Sequence, residues 1–186
     1  LGTGVGGGII IDGKIYGGFN FAGAELGHTV IMVDGEPCTC GRLGCWEAYA
    51  SATALIRQTR AAMKAHPESA LWELCKGDPE KVNGKTAFDG RDLGDPTAIQ
   101  VVDAYIGYVS CGIANLMNIL EPEVVCIGGG ISAQGEKLLE PLRKKIRQDV
   151  FIPLVADRAR IVTAALGNDA GIIGAALMGR LLGKDA

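Results

Sequence analysis

The sequence has little of what marks a nucleic-acid-binding, membrane or secreted protein. Its formal net charge of −3 leaves no basic footprint for nucleic acid or an anionic lipid surface. There is no secretory h-region and no uninterrupted apolar run of about 18 residues, so nothing in it marks export or membrane insertion. Neither the Walker sequence nor the dinucleotide fingerprint is present, and no internal repeat or low-complexity linker divides the 186 residues. That length sets a prior of one domain able to bury a core. With 48% hydrophobic and 21% charged residues the composition is that of a globular protein. Small molecules or other proteins are the expected partners.

Histidine is also scarce, with two in the chain, and the position of one is informative. His28 precedes Cys38, Cys40 and Cys45 by ten residues or more, and these three are half of the six cysteines. Three thiolates and one imidazole form the Cys₃His set of a closed, tetrahedral structural zinc site. Reduced, metal-bound thiols in a cytoplasm are therefore expected rather than disulfides. Glu25 and Glu47 stand at the two ends of this stretch, so folding of the loop also places two acids. The second histidine, His66, has no cysteine nearby and precedes a proline, and it is expected to end a helix.

Glycine, in contrast, is abundant: 28 residues, about twice ordinary usage, as tight turns and loops that approach a ligand closely require. Gly2 to Gly8 form one rich segment, whose backbone N–H groups and Thr3 could cradle phosphate oxygens. Gly128-Gly129-Gly130 form another, placed after a short apolar strand, Val124 to Ile127, where a ligand can reach the end of a sheet.

The remaining pattern is α/β. Asp12-Gly13 between Ile9–Ile11 and Lys14–Tyr16 predicts a two-residue hairpin. Thr29 to Val33 reads as a strand, and the segment from Trp46 to His66 as one helix. Residues 67 to 95 are dense in turn signals, with a short helix at Ser69 to Cys75. Asp95-Pro96 fits an N-cap followed by proline at N1, opening an apolar helix to about Leu120 with Cys111 in the core. Gly135 to Asp149 reads as a helix with a solvated, charged face, Arg160 to Ala164 as a strand, and Asn168 or Asp169 as the cap of a last helix through Leu182. Strands alternating with long helices predict an α/β domain with a mixed sheet.

Taken together, Leu-Gly-Thr-Gly-Val-Gly-Gly-Gly at 1–8, Glu-Leu-Gly-His at 25–28, Cys-Thr-Cys-Gly-Arg-Leu-Gly-Cys-Trp-Glu at 38–47 and Gly-Gly-Gly-Ile-Ser at 128–132 resemble the ROK family of bacterial sugar kinases and sugar-responsive repressors. The resemblance spans almost the whole chain and implies an actin-like ATPase (ribonuclease H-like) fold. It implies that His28, Cys38, Cys40 and Cys45 hold a structural Zn²⁺ and that Glu25, His28 and Glu47 bond sugar hydroxyls. His28 can serve both through its two nitrogens. Gly2, Thr3 and Gly4 match the family's second phosphate motif, and Gly129 and Gly130 its adenosine motif, so ATP with Mg²⁺ is the implied cosubstrate.

The family's first phosphate motif and the Asn-Asp pair bearing its catalytic base have no counterpart here. Leu1-Gly2-Thr3-Gly4 begins in mid-motif without methionine. The chain, 1–186, is accordingly expected to be the C-terminal large domain of a two-domain sugar kinase, with its own N-terminal domain as partner and the base supplied from there. Asn168-Asp169-Ala170 looks like the missing pair, but its place between a strand and the family's last helix makes it a helix cap. The expected activity of the full protein is phosphorylation of glucose at the 6-hydroxyl, a glycolytic step, in a cytoplasmic homo-oligomer (dimer or tetramer), with the fragment alone almost inactive. Two alternatives remain open: the effector domain of a ROK repressor, or a kinase for another hexose or N-acetylmannosamine. The phosphate loop at 1–8 favours a kinase, because a sugar sensor has no need of ATP phosphates.

Overall fold

The computed structural model describes residues 1–182, with the side chains of Asn168 and of residues 178–182 outside the described set. The hairpin forms as the Asp-Gly pair requires. Strands β1 (Ile10–Ile11) and β2 (Lys14–Ile15) pair antiparallel, with Asp12 at φ 52° and Gly13 at φ 74° supplying the two left-handed residues of a type I′ turn. Next come a one-turn 3₁₀ helix at Leu26–His28 and helices α1 (Glu47–Ala50), α2 (Ala52–Ala65), α3 (Leu71–Leu74), α4 (Thr86–Asp92) and α5 (Pro96–Leu120). A βαβ unit follows: β3 (Val124–Ile127), α6 (Glu136–Asp149), α7 (Pro153–Arg158) and β4 (Arg160–Thr163), with β3 and β4 parallel and Val124 level with Arg160. Helix α8 (Ala170–Leu182) closes the order. Among the described residues the hairpin and the parallel pair are separate two-stranded ladders.

Helix α5 is the axis of the core. Asp95 caps it, accepting from the Ala98 amide at 2.7 Å, Pro96 takes the first turn, and Glu121 ends it in the left-handed region at φ 43° just before Pro122. Its length and apolarity would suffice to cross a membrane, yet 61% of the most apolar window is buried inside the protein. Ala98, Val102, Tyr105, Val109, Ile113 and Met117 recur at helical spacing and pack against α1, α2, α4 and α6. Tyr105 is buried and donates its hydroxyl to the Ala50 carbonyl at 2.8 Å, and burial raises its pKa far above the ordinary phenol value. The charged run on α6 is solvated as expected, in pairs such as Lys144–Glu140 at 2.9 Å and Arg147–Asp157 at 2.7 Å.

Four local expectations change. The helix from Trp46 breaks at Ser51, which turns extended (ψ 162°) and caps α2 by accepting from the Ala54 amide at 3.0 Å. The break frees the Ala52 amide to donate to the Gly2 carbonyl at 2.8 Å. Thr29 to Val33 is no strand but makes a single bridge, Val30 to Cys45, because its backbone is taken up by the cysteine loop. The turn-rich stretch hides α4, whose Ala87 and Phe88 are buried; burial of those two outweighs the Asp89-Gly90 turn preference. Cys111 is half-buried rather than core, and α7 has no counterpart in the sequence reading. The side chain of Asn168, expected with Asp169 as a cap of the last helix, lies outside the described set.

Asp95 does more than cap α5, because it also accepts from the Ser69 hydroxyl at 3.0 Å and the Ala70 amide at 2.9 Å. Burial alone would raise its carboxyl, but these donors, with Ala98 and Thr97, outweigh it and hold the pKa below the ordinary aspartate value. A depressed folded-state pKa stabilises the fold above the unfolded value of about 3.9 and ceases to do so as pH falls through the folded value. Asp95→Ala should cost about 2–4 kcal/mol in urea unfolding at neutral pH, and the gap to the unsubstituted protein should narrow below pH 4.

Candidate functional site

The cysteine loop is shaped by its backbone before any metal is considered. Pro37 bridges Leu43, the Cys38 amide donates to the Arg42 carbonyl at 2.8 Å, and the Gly41 amide donates to the Cys38 carbonyl at 3.0 Å, closing a knuckle around Cys38 and Cys40. Val30 pairs with Cys45, and the Trp46 amide donates to Thr29 at 2.8 Å, which fixes the end of the loop beside His28. Trp46 then leaves the loop for the core. Its Nε1–H donates to the Tyr108 carbonyl at 2.8 Å, and its ring lies so close over Gly112 that any Cβ there would overlap it.

This brings all four predicted donors together. His28 Nδ1 is 3.6 Å from Cys38 Sγ, Cys40 Sγ is 3.6 Å from Cys45 Sγ, and all four ligand atoms lie within 4.8 Å of one another. A tetrahedral zinc with Zn–S near 2.3 Å places its ligand sulfurs about 3.8 Å apart. The donor set therefore fits zinc in chemistry and in size. Electrostatics agree: burial first, then the neighbouring sulfurs of Cys40 and Cys38, pushes the Cys45 thiol up to about 12. The Arg42 backbone amide, outweighing desolvation, lowers Cys40. A cation held among these sulfurs is what would reverse the cost of gathering them.

Glu47 opens α1 two residues after Cys45 and reaches out of the metal loop. Its Oε2 accepts from the Val5 amide at 2.9 Å, and its Oε1 accepts from the Thr39 hydroxyl at 3.2 Å. A side chain at Gly4 would collide with this carboxylate. Glu25 and His28 lie at the two ends of the same tight turn, closed by the His28 amide donating to the Glu25 carbonyl at 3.1 Å, and residues three apart in a 3₁₀ turn stand on one side of it. Glu25 is exposed and His28 half-buried.

The two glycine motifs also meet. Leu1 N donates to the Gly128 carbonyl at 2.7 Å, and the Ile131 amide donates to the Leu1 carbonyl at 3.4 Å. Gly129, at φ 83°, passes so close to the Leu1 backbone that a Cβ would be excluded. On the other side the Thr53 hydroxyl donates to the Thr3 carbonyl at 2.8 Å, fixing residues 1–5 to the start of α2. A continuous wall thus runs from Gly129 and Gly130 through Gly2, Thr3 and Gly4 to Glu47 and on to the metal cluster. Two open hollows of about 330 and 230 Å³ lie away from it, one between the end of α5 and α7, the other between α2 and α5.

Sequence reading missed Thr39, Thr53, the Val5 amide and the Trp46–Gly112 contact. None of these leaves a signal in spacing, because each acts on a partner brought near only by packing.

The ROK family profile matches residues 1–180. The chain is 42% identical over 176 residues to a glucokinase of Thermotoga maritima, covering 95% of this chain and 55% of that protein. It is 37% identical over 156 residues to a xylose repressor of Caldicellulosiruptor bescii, covering 82% of this chain and 38% of that one. Among solved structures, a ROK family glucokinase from Streptomyces griseus in complex with glucose and AMPPNP superposes with a TM-score of 0.88 at 38% identity, over 96% of this chain and 58% of that one. The chain spans about half the length of the curated glucokinases it matches.

Protein prepared without chelators should contain one zinc ion per chain by elemental analysis. Cys40→Ser should lose the ion and leave Cys38 and Cys45 open to alkylation. Zinc near zero in the unsubstituted protein, with all three thiols freely alkylated, would refute the metal site.

Proposed function

The chain belongs to the ROK family, and from that premise we propose that it is the C-terminal large domain of an ATP-dependent glucokinase. The observation that carries the proposal is the Glu47 carboxylate bonded directly to the Val5 amide at the end of the phosphate-loop motif. A sugar-binding acid in contact with a phosphate loop is the arrangement phosphoryl transfer needs, since acceptor and donor must meet in line with little movement. Support comes from the S. griseus structure, which holds glucose and AMPPNP.

In this reading Glu25, His28 and Glu47 hold the hydroxyls of glucose, and backbone amides and Thr3 of the 2–4 segment hold the phosphates, with Mg²⁺ arriving as part of the nucleotide. Gly129 and Gly130 line the place for adenosine: the space beside Gly130 is open, and Gly129 lets the turn close on the Leu1 backbone. The zinc fixes the pose of the knuckle and takes no part in chemistry. The glucose 6-hydroxyl oxygen attacks the γ-phosphorus as the bond to the β-phosphate oxygen breaks, giving ADP, and the hydroxyl proton passes to a base outside residues 1–186. Exposed apolar side chains on the hairpin, the loop after it and α8, including Ile10, Ile15, Phe19, Phe21 and Ile172, support a partner domain, since surfaces of this kind mark contacts. We place the whole protein in the cytoplasm as a homo-oligomer.

The repressor reading draws on the xylose repressor match. The full-length protein decides between them. It should transfer phosphate from ATP to glucose, and Glu47→Gln should lower kcat/KM for glucose about 10- to 100-fold, as loss of a charge-assisted hydrogen bond does. Sugar-dependent DNA binding without phosphoryl transfer would establish the repressor. A clear preference for N-acetylmannosamine or another hexose in a panel of sugars would exclude glucose as the substrate.

A further inference from the structure

Thr39 lies between two metal donors, Cys38 and Cys40, and the family motif gives it no role. Its side chain nonetheless leaves the knuckle: Oγ1 donates to Glu47 Oε1 at 3.2 Å. The other carboxylate oxygen, Oε2, is taken by the Val5 amide at 2.9 Å. Glu47 is thus gripped on both oxygens, Oε2 from the phosphate loop and Oε1 from the metal loop, where the Cys38 thiol also donates to Oε1 at a longer 3.8 Å. A carboxylate has about four lone-pair sites, so both bonds can be made with capacity left for a ligand hydroxyl. Two donors from separate segments also hold the rotamer that a long, half-buried glutamate would otherwise exchange, and a fixed rotamer lowers the entropy lost on binding.

We propose that Thr39 is a positioning residue for the sugar site, its hydroxyl holding Glu47 in the orientation that receives glucose and tying that orientation to the folded metal loop. This rests on the sugar-binding role of Glu47 proposed above. The bond to Thr39 acts on Oε1, whereas the phosphate-loop segment is held through Oε2 and, on its far side, by Thr53. Loss of the Thr39 hydroxyl should therefore disturb the sugar and leave the nucleotide in place.

The test uses the full-length protein. ATP-dependent phosphorylation of glucose by the unsubstituted protein is established first; its absence overturns the functional reading itself. Thr39→Val, which keeps shape and removes the donor, should then raise KM for glucose about 3- to 10-fold. The KM for ATP and the zinc content per chain should stay unchanged. Thr39→Ser, which restores the donor, should return KM for glucose to within about twofold of the unsubstituted value. In a Glu47→Gln background Thr39→Val should add nothing, as residues acting through one another are non-additive. Equal effects of valine and serine, an unchanged KM for glucose in Thr39→Val, loss of zinc together with sugar affinity, or full additivity with Glu47→Gln would each overturn the proposal.

Discussion

The indole of Trp46, wedged over Gly112 with its N–H on the Tyr108 carbonyl, is the contact on which the site depends. It is 4% exposed and seats the end of the cysteine loop on the long core helix. The residues on either side of it have opposite duties. Cys45 points into the metal cluster, and Glu47 reaches the phosphate-loop segment. Three consecutive residues therefore join the candidate metal cluster, the core and the glycine-rich wall, and a shift of one would move all three.

This arrangement explains what a metal would add to a domain that already has a core. Residues 32 to 44 bury little: Met32, Val33 and Leu43 are all exposed, and the knuckle is held by a handful of backbone bonds. Segments of that kind open at low free-energy cost. A tetrahedral ion would close four such points at once, and its binding energy would become local folding energy. With the ion in place, the acids at the ends of the loop and the hydroxyl of Thr39 within it would be held by a rigid frame. Rigidity is what the proposed phosphoryl-transfer site would require, since the protein groups of such a site chiefly position and stabilise charge.

How much could be read in the sequence follows the range of each interaction. The Asp12-Gly13 turn, the Asp95-Pro96 cap, the strand, helix and strand between Val124 and Ala164 and the donor set His28, Cys38, Cys40 and Cys45 depend on neighbours or on a spacing that has one chemical use, and the structure forms the elements and gathers the donors. The break at Ser51, the irregular path of Thr29 to Val33 and helix α4 were not legible. In each, a tertiary contact overrides local preference: Gly2 captures the Ala52 amide, the cysteine loop takes the backbone of residues 29–32, and the core takes Ala87 and Phe88.

The sequence by itself determined which residues are candidates for chemistry, because thiolates, an imidazole, paired acids and glycine-rich loops have few alternative uses at these spacings. Only the tertiary structure decided how they work together. Leu1 meets Gly128 across 127 positions of sequence, and Val5 meets Glu47 across 42. Those pairings arise from packing around α5, and a bond between distant segments leaves no periodicity or spacing to read. The physical reason is that a side chain's type is local information, while the partner of its second oxygen is a property of the folded surface.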